Sequence, residues 1–274
     1  MAGKKKDTSL LHHLVGSRSL VWNLAKNDIK KKFAGSYFGV VWAFVQPVIT
    51  VLLYWFVFEK GLNSKATDLR TGIEIPFVLW LTAGLVPWFY FQEALNGGTG
   101  VLVEYSYLVK KVVFQIDMLP VVKMISALFT HLFFVAFTMV LFICMGYMPD
   151  WYALQVVYYS FCMILFATGL VYATSAVTVF FRDMKEVVGI LLQIGMWVTP
   201  IMWNFETMVQ IPGWAIAVLK LNPMYYIVSG YRNALINHIG FWEDMGITVY
   251  FWVVTAVILF LGTTVFKRLR PHFA

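Results

Sequence analysis

Charge is what this chain lacks most. Only 13% of its 274 residues are Asp, Glu, Lys or Arg, against 60% hydrophobic, whereas a soluble domain carries about 25% charged residues. Too few charges remain to cover a water-soluble surface, and the mean hydropathy of +0.74 agrees. Cysteine is scarce as well. Cys144 and Cys162 both lie in apolar segments, so neither a disulfide framework nor a metal-ligand spacing is present. The sequence has no G-x-x-x-x-G-K-[ST] loop for nucleotide phosphates, no H-E-x-x-H and no G-x-S-x-G. Low-complexity segments, a soluble domain and an internal repeat are missing too, and the last absence speaks against carriers built from inverted repeats. No apolar stretch with a small-residue cleavage site follows Lys4–Lys6, so the first long apolar run, near Tyr37, reads as an uncleaved anchor. Carboxylates are rare inside the apolar runs. Glu93 falls near an end where it can reach water, which leaves no buried acid for a proton- or sodium-coupled carrier.

Six apolar runs are present, near 37–58, 76–94, 118–146, 152–180, 187–203 and 246–266. The spacing predicts an all-α membrane protein with six transmembrane helices. The run from 204 to 245 is semi-apolar and broken by Pro212, Gly213, Pro223 and Gly230; its pieces are too short to span and read as re-entrant or interfacial helices. Before the first run, Leu11, Val15, Trp22, Ala25, Ile29 and Phe33 recur at three- to four-residue steps, interrupted at Arg18. That pattern predicts an amphipathic helix in the membrane interface, or a helix packed on another domain. The chain divides accordingly into residues 1–36, tail and interfacial helix, and 37–274, the spanning domain.

With the N-terminus in the cytoplasm, six spans return the C-terminus there. All but five of the 21 Lys and Arg then lie inside, the exceptions being Lys60, Lys65, Arg70, Lys220 and Arg232. The net charge of +7 is thereby explained by topology, with no nucleic acid. A multi-pass protein of the cytoplasmic membrane follows, both termini inside.

Three groups of residues carry functional readings. After Asn96-Gly97-Gly98-Thr99-Gly100, residues 101–111 form a short amphipathic helix. It is either a docking helix for a soluble partner, through Glu104, Tyr105 and Tyr107, or an interfacial helix on lipid. Arg182 and Asp183, in the other cytoplasmic turn, contact the same partner or are simply solvated. Lys30, Lys31 and Lys32 lie where the interfacial helix meets the first span, and suit a pyrophosphate lipid head or ordinary positive-inside anchoring. Gln46, Thr50 and Tyr54 share one helical face, which Gly39 and Ala43 extend; Gly189, Gln193, Trp197 and Pro200 make a second stripe. Both stripes line a polar path for a glycan or pack helix on helix. His131, alone in the third run, is a functional ionisable group or a hydrogen-bond partner for a neighbouring helix.

The chain resembles ABC-type export permeases that move lipid-linked polysaccharides. The likeness covers nearly its whole length. It rests on Lys31-Lys32-Phe33-Ala34-Gly35-Ser36-Tyr37-Phe38-Gly39-Val40-Val41-Trp42, Gln46-Pro47, Pro87-Trp88, Phe181-Arg182-Asp183, Thr199-Pro200-Ile201, Leu221-Asn222-Pro223-Met224-Tyr225-Tyr226 and Gly230-Tyr231-Arg232. Tyr54-Trp55-Phe56-Val57-Phe58 and Leu81-Thr82-Ala83-Gly84-Leu85-Val86-Pro87-Trp88-Phe89 look closest to wall teichoic acid permeases; O-antigen and capsule permeases share the scaffold. The resemblance implies a homodimer with two P-loop ATPase subunits below it. ATP and Mg would sit on that partner, and this chain would have no cofactor, metal or catalytic site of its own. It further implies that 101–111 is the coupling helix and that 204–232 forms short helices near the outer mouth. Two other classes stay open. A membrane-embedded transferase would need a paired acid–base site, whereas His131 and Glu93 are isolated in sequence. A carrier without ATP would need no P-loop partner.

Overall fold

The computed structural model describes residues 18–32, 34–109, 116–203 and 212–273. Among these the chain is predominantly helical. Helix α1 (Arg18–Lys32) is followed by α2 (Trp42–Trp55), which continues as a π-helical turn to Gly61. A minimal antiparallel hairpin, β1 (Ala66–Thr67) with β2 (Glu74–Ile75), leads into α3 (Phe77–Thr99). Two short turns follow, α4 (Val101–Glu104) and α5 (Ser106–Val109), then α6 (Met118–Cys144), α7 (Gln155–Thr178) and α8 (Met184–Val198). Two further short helices, α9 (Gly213–Lys220) and α10 (Pro223–Arg232), precede the long α11 (Met245–Leu269).

Helix α3 is the centre of the bundle. Nearly every residue from Phe77 to Phe91 is buried, against α2, α6, α7, α8 and α10. Helices α7 and α11 lie against each other so closely that a Cβ on Gly262 would strike the backbone carbonyl of Gly169. Small residues at that crossing permit the approach, as in other apolar bundles.

Among the described residues, four segments are long and apolar enough to cross a membrane: Trp42–Gly61, Met118–Cys144, Trp151–Thr178 and Met245–His272. The other two predicted runs form helices of a different kind. Helix α3 has 23 residues, but its last turns carry Gln92, Glu93, Asn96 and two glycines, so its apolar length is shorter. Helix α8 has 15 residues, about 22 Å at 1.5 Å per residue, short of a hydrocarbon core of about 30 Å.

The semi-apolar stretch is partly described, residues 204–211 lying outside it. Asn222 caps α10 by accepting from the Met224 amide at 3.0 Å, and its side-chain amide donates to Thr199 at 2.7 Å. Pro223 takes the first helical position, where a missing N–H costs nothing. Helix α10 is buried along most of its length and ends in a π-turn closed by His238 in the left-handed region. Its Arg232 is a buried cation. The guanidinium donates to the carbonyls of Pro200 and Ile201, 2.7 and 2.6 Å away, and to that of Trp80, and it lies 3.3 Å from the centre of the Trp80 ring. It therefore ties α10 to the chain just past the end of α8, where carbonyls lack helical partners. Gly84 leaves the room: a Cβ there would come 2.6 Å from the guanidinium. His131 bonds Ser160 and Tyr231, at 3.2 and 3.0 Å, joining α6, α7 and α10. Of its two sequence readings, the hydrogen-bond partner is the one observed.

Replacing Gly262 by Val is expected to destabilise the bundle by about 1–3 kcal/mol or more, the usual range for overpacking. Gly189→Ala, where nothing lies within 4 Å of the added carbon, is expected to be neutral or stabilising. Thermal unfolding in detergent decides; equal midpoints for the two variants would refute the tight crossing.

Candidate functional site

A cavity of about 760 Å³ opens between α1, α2, α3, α4, α6 and α8. The α2 wall is the stripe Gln46, Thr50 and Tyr54, four residues apart and hence on one face. Thr50 satisfies its own hydroxyl by donating to the Gln46 carbonyl at 2.9 Å. Pro47 lines the cavity beside Ala43; its missing N–H removes the helical partner of the Ala43 carbonyl. This wall is therefore polar in backbone as well as side chains.

Other parts of the lining are charged. Lys31 and Lys32 come from α1, Gln92 and Glu93 from α3, Lys185 from α8. Lys32 and Glu93 pair at 2.6 Å, Lys31 and Glu104 at 3.5 Å. Behind them lies a buried network. Asp28 of α1 receives Lys123 of α6 and the Tyr105 hydroxyl, both at 2.7 Å, and Lys123 also reaches Glu104 at 2.9 Å. The ammonium groups of Lys31 and Lys123 lie over the Tyr105 ring at 4.9 and 5.6 Å. Burial by itself would push the Asp28 carboxyl up. The hydrogen bond and charge of Lys123, with the Tyr105 and Ser126 hydroxyls, outweigh it and hold the carboxyl below its ordinary 3.8.

This network corrects two sequence expectations. The buried stripe of α1 runs through Val21, Ala25 and Asp28, whereas Trp22 is exposed, against the Phe129 ring and under the Lys26 ammonium. Val21 and Ala25 pack on Met118 and Val122 of α6, because the Asp28–Lys123 pair sets the helix's rotation. Leu11, Val15 and Phe33 of the predicted stripe lie outside the described residues. The predicted helix over 101–111 is broken at Tyr105, whose ring is drawn inward to Asp28. Val101, Leu102 and Tyr105 are buried in a cluster with Leu119, Tyr172 and Phe266, so the apolar side of this segment faces protein. As a direct docking contact Tyr105 does not fit its burial; Glu104 and Tyr107 remain exposed. Lys110 and Lys111 lie outside the described residues.

The other predicted residues are scattered. Lys30 is exposed and does not line the cavity; Arg182 and Asp183 occupy the exposed turn before α8. Gln193 and Trp197 are exposed and do not line the cavity, because α8 turns Val188 and Leu192 inward, and only Met196 of its C-terminal half reaches the lining. The two stripes thus do not meet within one chain. Asp28 and Lys123 were missed. Their signals were an acid at helical spacing on a buried stripe and a lysine inside an apolar run, which is a functional candidate by default.

A family model described as ABC-2 type transporter matches residues 19–236. The chain belongs to the ABC-2 type transporter family. Every residue lining the cavity falls inside the matched stretch. This ABC-2 protein is 25% identical over 265 residues to the O-antigen export system permease protein RfbA of Myxococcus xanthus, covering 97% of this chain and 98% of the relative. It is 20% identical over 255 residues to a protein of the same description from Klebsiella pneumoniae, covering 92% of each.

Breaking the buried pair with Lys123→Met is expected to cost about 3 kcal/mol, because Asp28 keeps only its hydroxyl partners. The native Asp28 pKa lies below the unfolded one, so the pair's contribution is full above about 3.8 and is lost as pH falls through the lowered native value. Release of α1 on acidification, followed by Trp22 fluorescence, should therefore set in below the ordinary carboxylate range in the native protein. A variant carrying both Asp28→Asn and Lys123→Met should lose that step, and its persistence there would refute the assignment.

Proposed function

We propose that this chain is the membrane permease subunit of an ATP-driven exporter of a lipid-linked anionic polysaccharide. Its site would be the cavity that sets Lys31 and Lys32 beside the Gln46–Thr50–Tyr54 stripe. That juxtaposition carries the reading: ammonium groups suit a diphosphate lipid head, and amide, hydroxyl and aromatic groups suit sugar rings. The volume of about 760 Å³ lies in the range of small-ligand pockets. It matches a head group and its first sugars rather than a whole polymer.

On this reading α2, α3, α6, α7 and α11 are five spans and α8 with the non-helical residues 199–203 after it is the sixth; both termini are cytoplasmic, and α9 and α10 are re-entrant near the outer face. The permease works as a homodimer, so the outward stripe Gln193–Trp197 completes the path with a second copy. Two P-loop ATPase subunits bind ATP and Mg below it and push on α1 and on the segment from Val101 to Val109, where Glu104 and Tyr107 are accessible. Arg182 and Asp183 would flank that contact. Hydrolysis belongs to the partner; this chain performs no covalent chemistry.

Wall teichoic acid is the cargo that the stretches at residues 54–58 and 81–89 favour. The named relatives favour a second cargo, O-antigen. Depleting the permease and analysing the lipid-linked polymer retained inside the cell separates them: polyol-phosphate repeats mean teichoic acid, hexose repeats O-antigen. If no lipid-linked polymer accumulates, the exporter reading fails. Within the site, single cysteines at 46, 50 and 54, in a background lacking Cys144 and Cys162, should react with a water-soluble thiol reagent during turnover and be shielded by cargo. Positions inert in every state would make the stripe a packing seam.

A further inference from the structure

Both cavity lysines of α1 already hold an anion. Lys32 is paired with Glu93 at 2.6 Å and Lys31 with Glu104 at 3.5 Å. The lining as a whole has four lysines (31, 32, 123 and 185) against three carboxylates (28, 93 and 104), so its charge is nearly balanced. A phosphate ligand at Lys31 or Lys32 would compete with a carboxylate already there.

The pairs differ in how easily they exchange. The Asp28 and Lys123 side chains are 6% and 13% exposed, and the Tyr105 hydroxyl backs the same carboxylate oxygen. Neither charge can leave without stranding the other away from water. The Lys31 and Glu104 side chains are 57% and 39% exposed. A solvated pair of that kind is held weakly, and a diphosphate brings more charge and more acceptor oxygens to the same ammonium group. Glu104 also has a second bond, to the fixed Lys123 at 2.9 Å. When Lys31 turns to a ligand, Glu104 is left on Lys123 alone.

Glu104 is the last residue of α4, next to the break at Tyr105. No side chain intervenes between it and the exchangeable lysine. We infer that Glu93 and Glu104 are built-in placeholder anions of a two-lysine diphosphate site, and that exchange at Lys31 is the signal by which occupancy reaches the segment facing the ATPase. The inference rests on the exporter reading above and adds to it the counter-ions and the route. The competing account is that the same pairs merely staple α1 to α3 and α4. The two accounts differ in sign. Neutralising a staple weakens the site, whereas neutralising a placeholder tightens phosphate binding.

The test uses the intact complex of permease and partner ATPase in lipid nanodiscs, with farnesyl diphosphate as probe and farnesol as control. Wild type binds the diphosphate, binding weakens with salt, and ATP hydrolysis rises with occupancy. Glu93→Gln and Glu104→Gln each bind the probe several-fold tighter, and Lys31→Gln binds it several-fold more weakly. Lys31→Gln and Glu104→Gln both break the Lys31–Glu104 pair, so both show raised basal hydrolysis that the probe no longer stimulates. Glu93→Gln, away from the coupling segment, tightens binding while retaining stimulation, and it keeps the test intact if Glu104→Gln fails to fold. Weaker or unchanged binding in Glu93→Gln and Glu104→Gln, with wild-type binding intact, overturns the placeholder assignment. Unchanged basal hydrolysis in both pair-breaking variants overturns the signalling route. A wild-type complex that treats farnesyl diphosphate like farnesol instead sinks the lipid-diphosphate cargo itself, and this inference with it.

Discussion

Asp28 and Lys123 are largely withdrawn from water, and each is stabilised there chiefly by the other. Asp28 is on α1 and Lys123 on α6, so their pairing holds α1 against the bundle and sets which of its faces is buried. The same carboxylate draws in the Tyr105 hydroxyl, and with it the turn that separates α4 from α5. Lys123 then reaches forward to Glu104, and Glu104 to Lys31. One buried ion pair thus places Tyr105, Glu104 and Lys31 about the cavity.

The same constraint, that a polar group out of water must find a partner in the protein, shapes the rest of the bundle. Arg232 is buried because carbonyls of Trp80, Pro200 and Ile201 and the Trp80 ring converge on it. Tyr226 meets Tyr158 and Thr248, and the Trp252 indole donates to Tyr158, stitching α7, α10 and α11 together. These bonds give the short helices a rigid seat. Glycine supplies what polar bonding cannot, the close approach of α7 to α11 and the space over Gly84.

On the exporter reading, this division of rigid and adjustable parts has a purpose. The fully buried contacts hold the frame around the cavity. The partly exposed pairs at Lys31 and Lys32 border its charged wall, where a ligand's charge can compete. A cavity sized for a head group implies that the polymer's path lies between faces that one chain leaves open, which is where the outward side of α8 enters.

Much was legible from residues alone. Apolar run length and Pro–Gly breaks anticipated the helices and the broken stretch over 212–245, because each is a local property of a chain in an apolar solvent. The four-residue spacing of Gln46, Thr50 and Tyr54 announced one face, and that face does line the cavity. The second stripe was equally regular, yet periodicity states only that residues share a face, not where the face points. Rotation of α8 turned Gln193 and Trp197 outward, and no local signal encodes that angle. The same limit applies to Asp28, Lys123 and Glu104, far apart in sequence and joined only when α1 docks on α6. The sequence by itself determined which segments are helices and which residues travel together on them. Only the tertiary structure decided which charges meet, because an ion pair is settled by distances across the fold rather than by spacing along the chain.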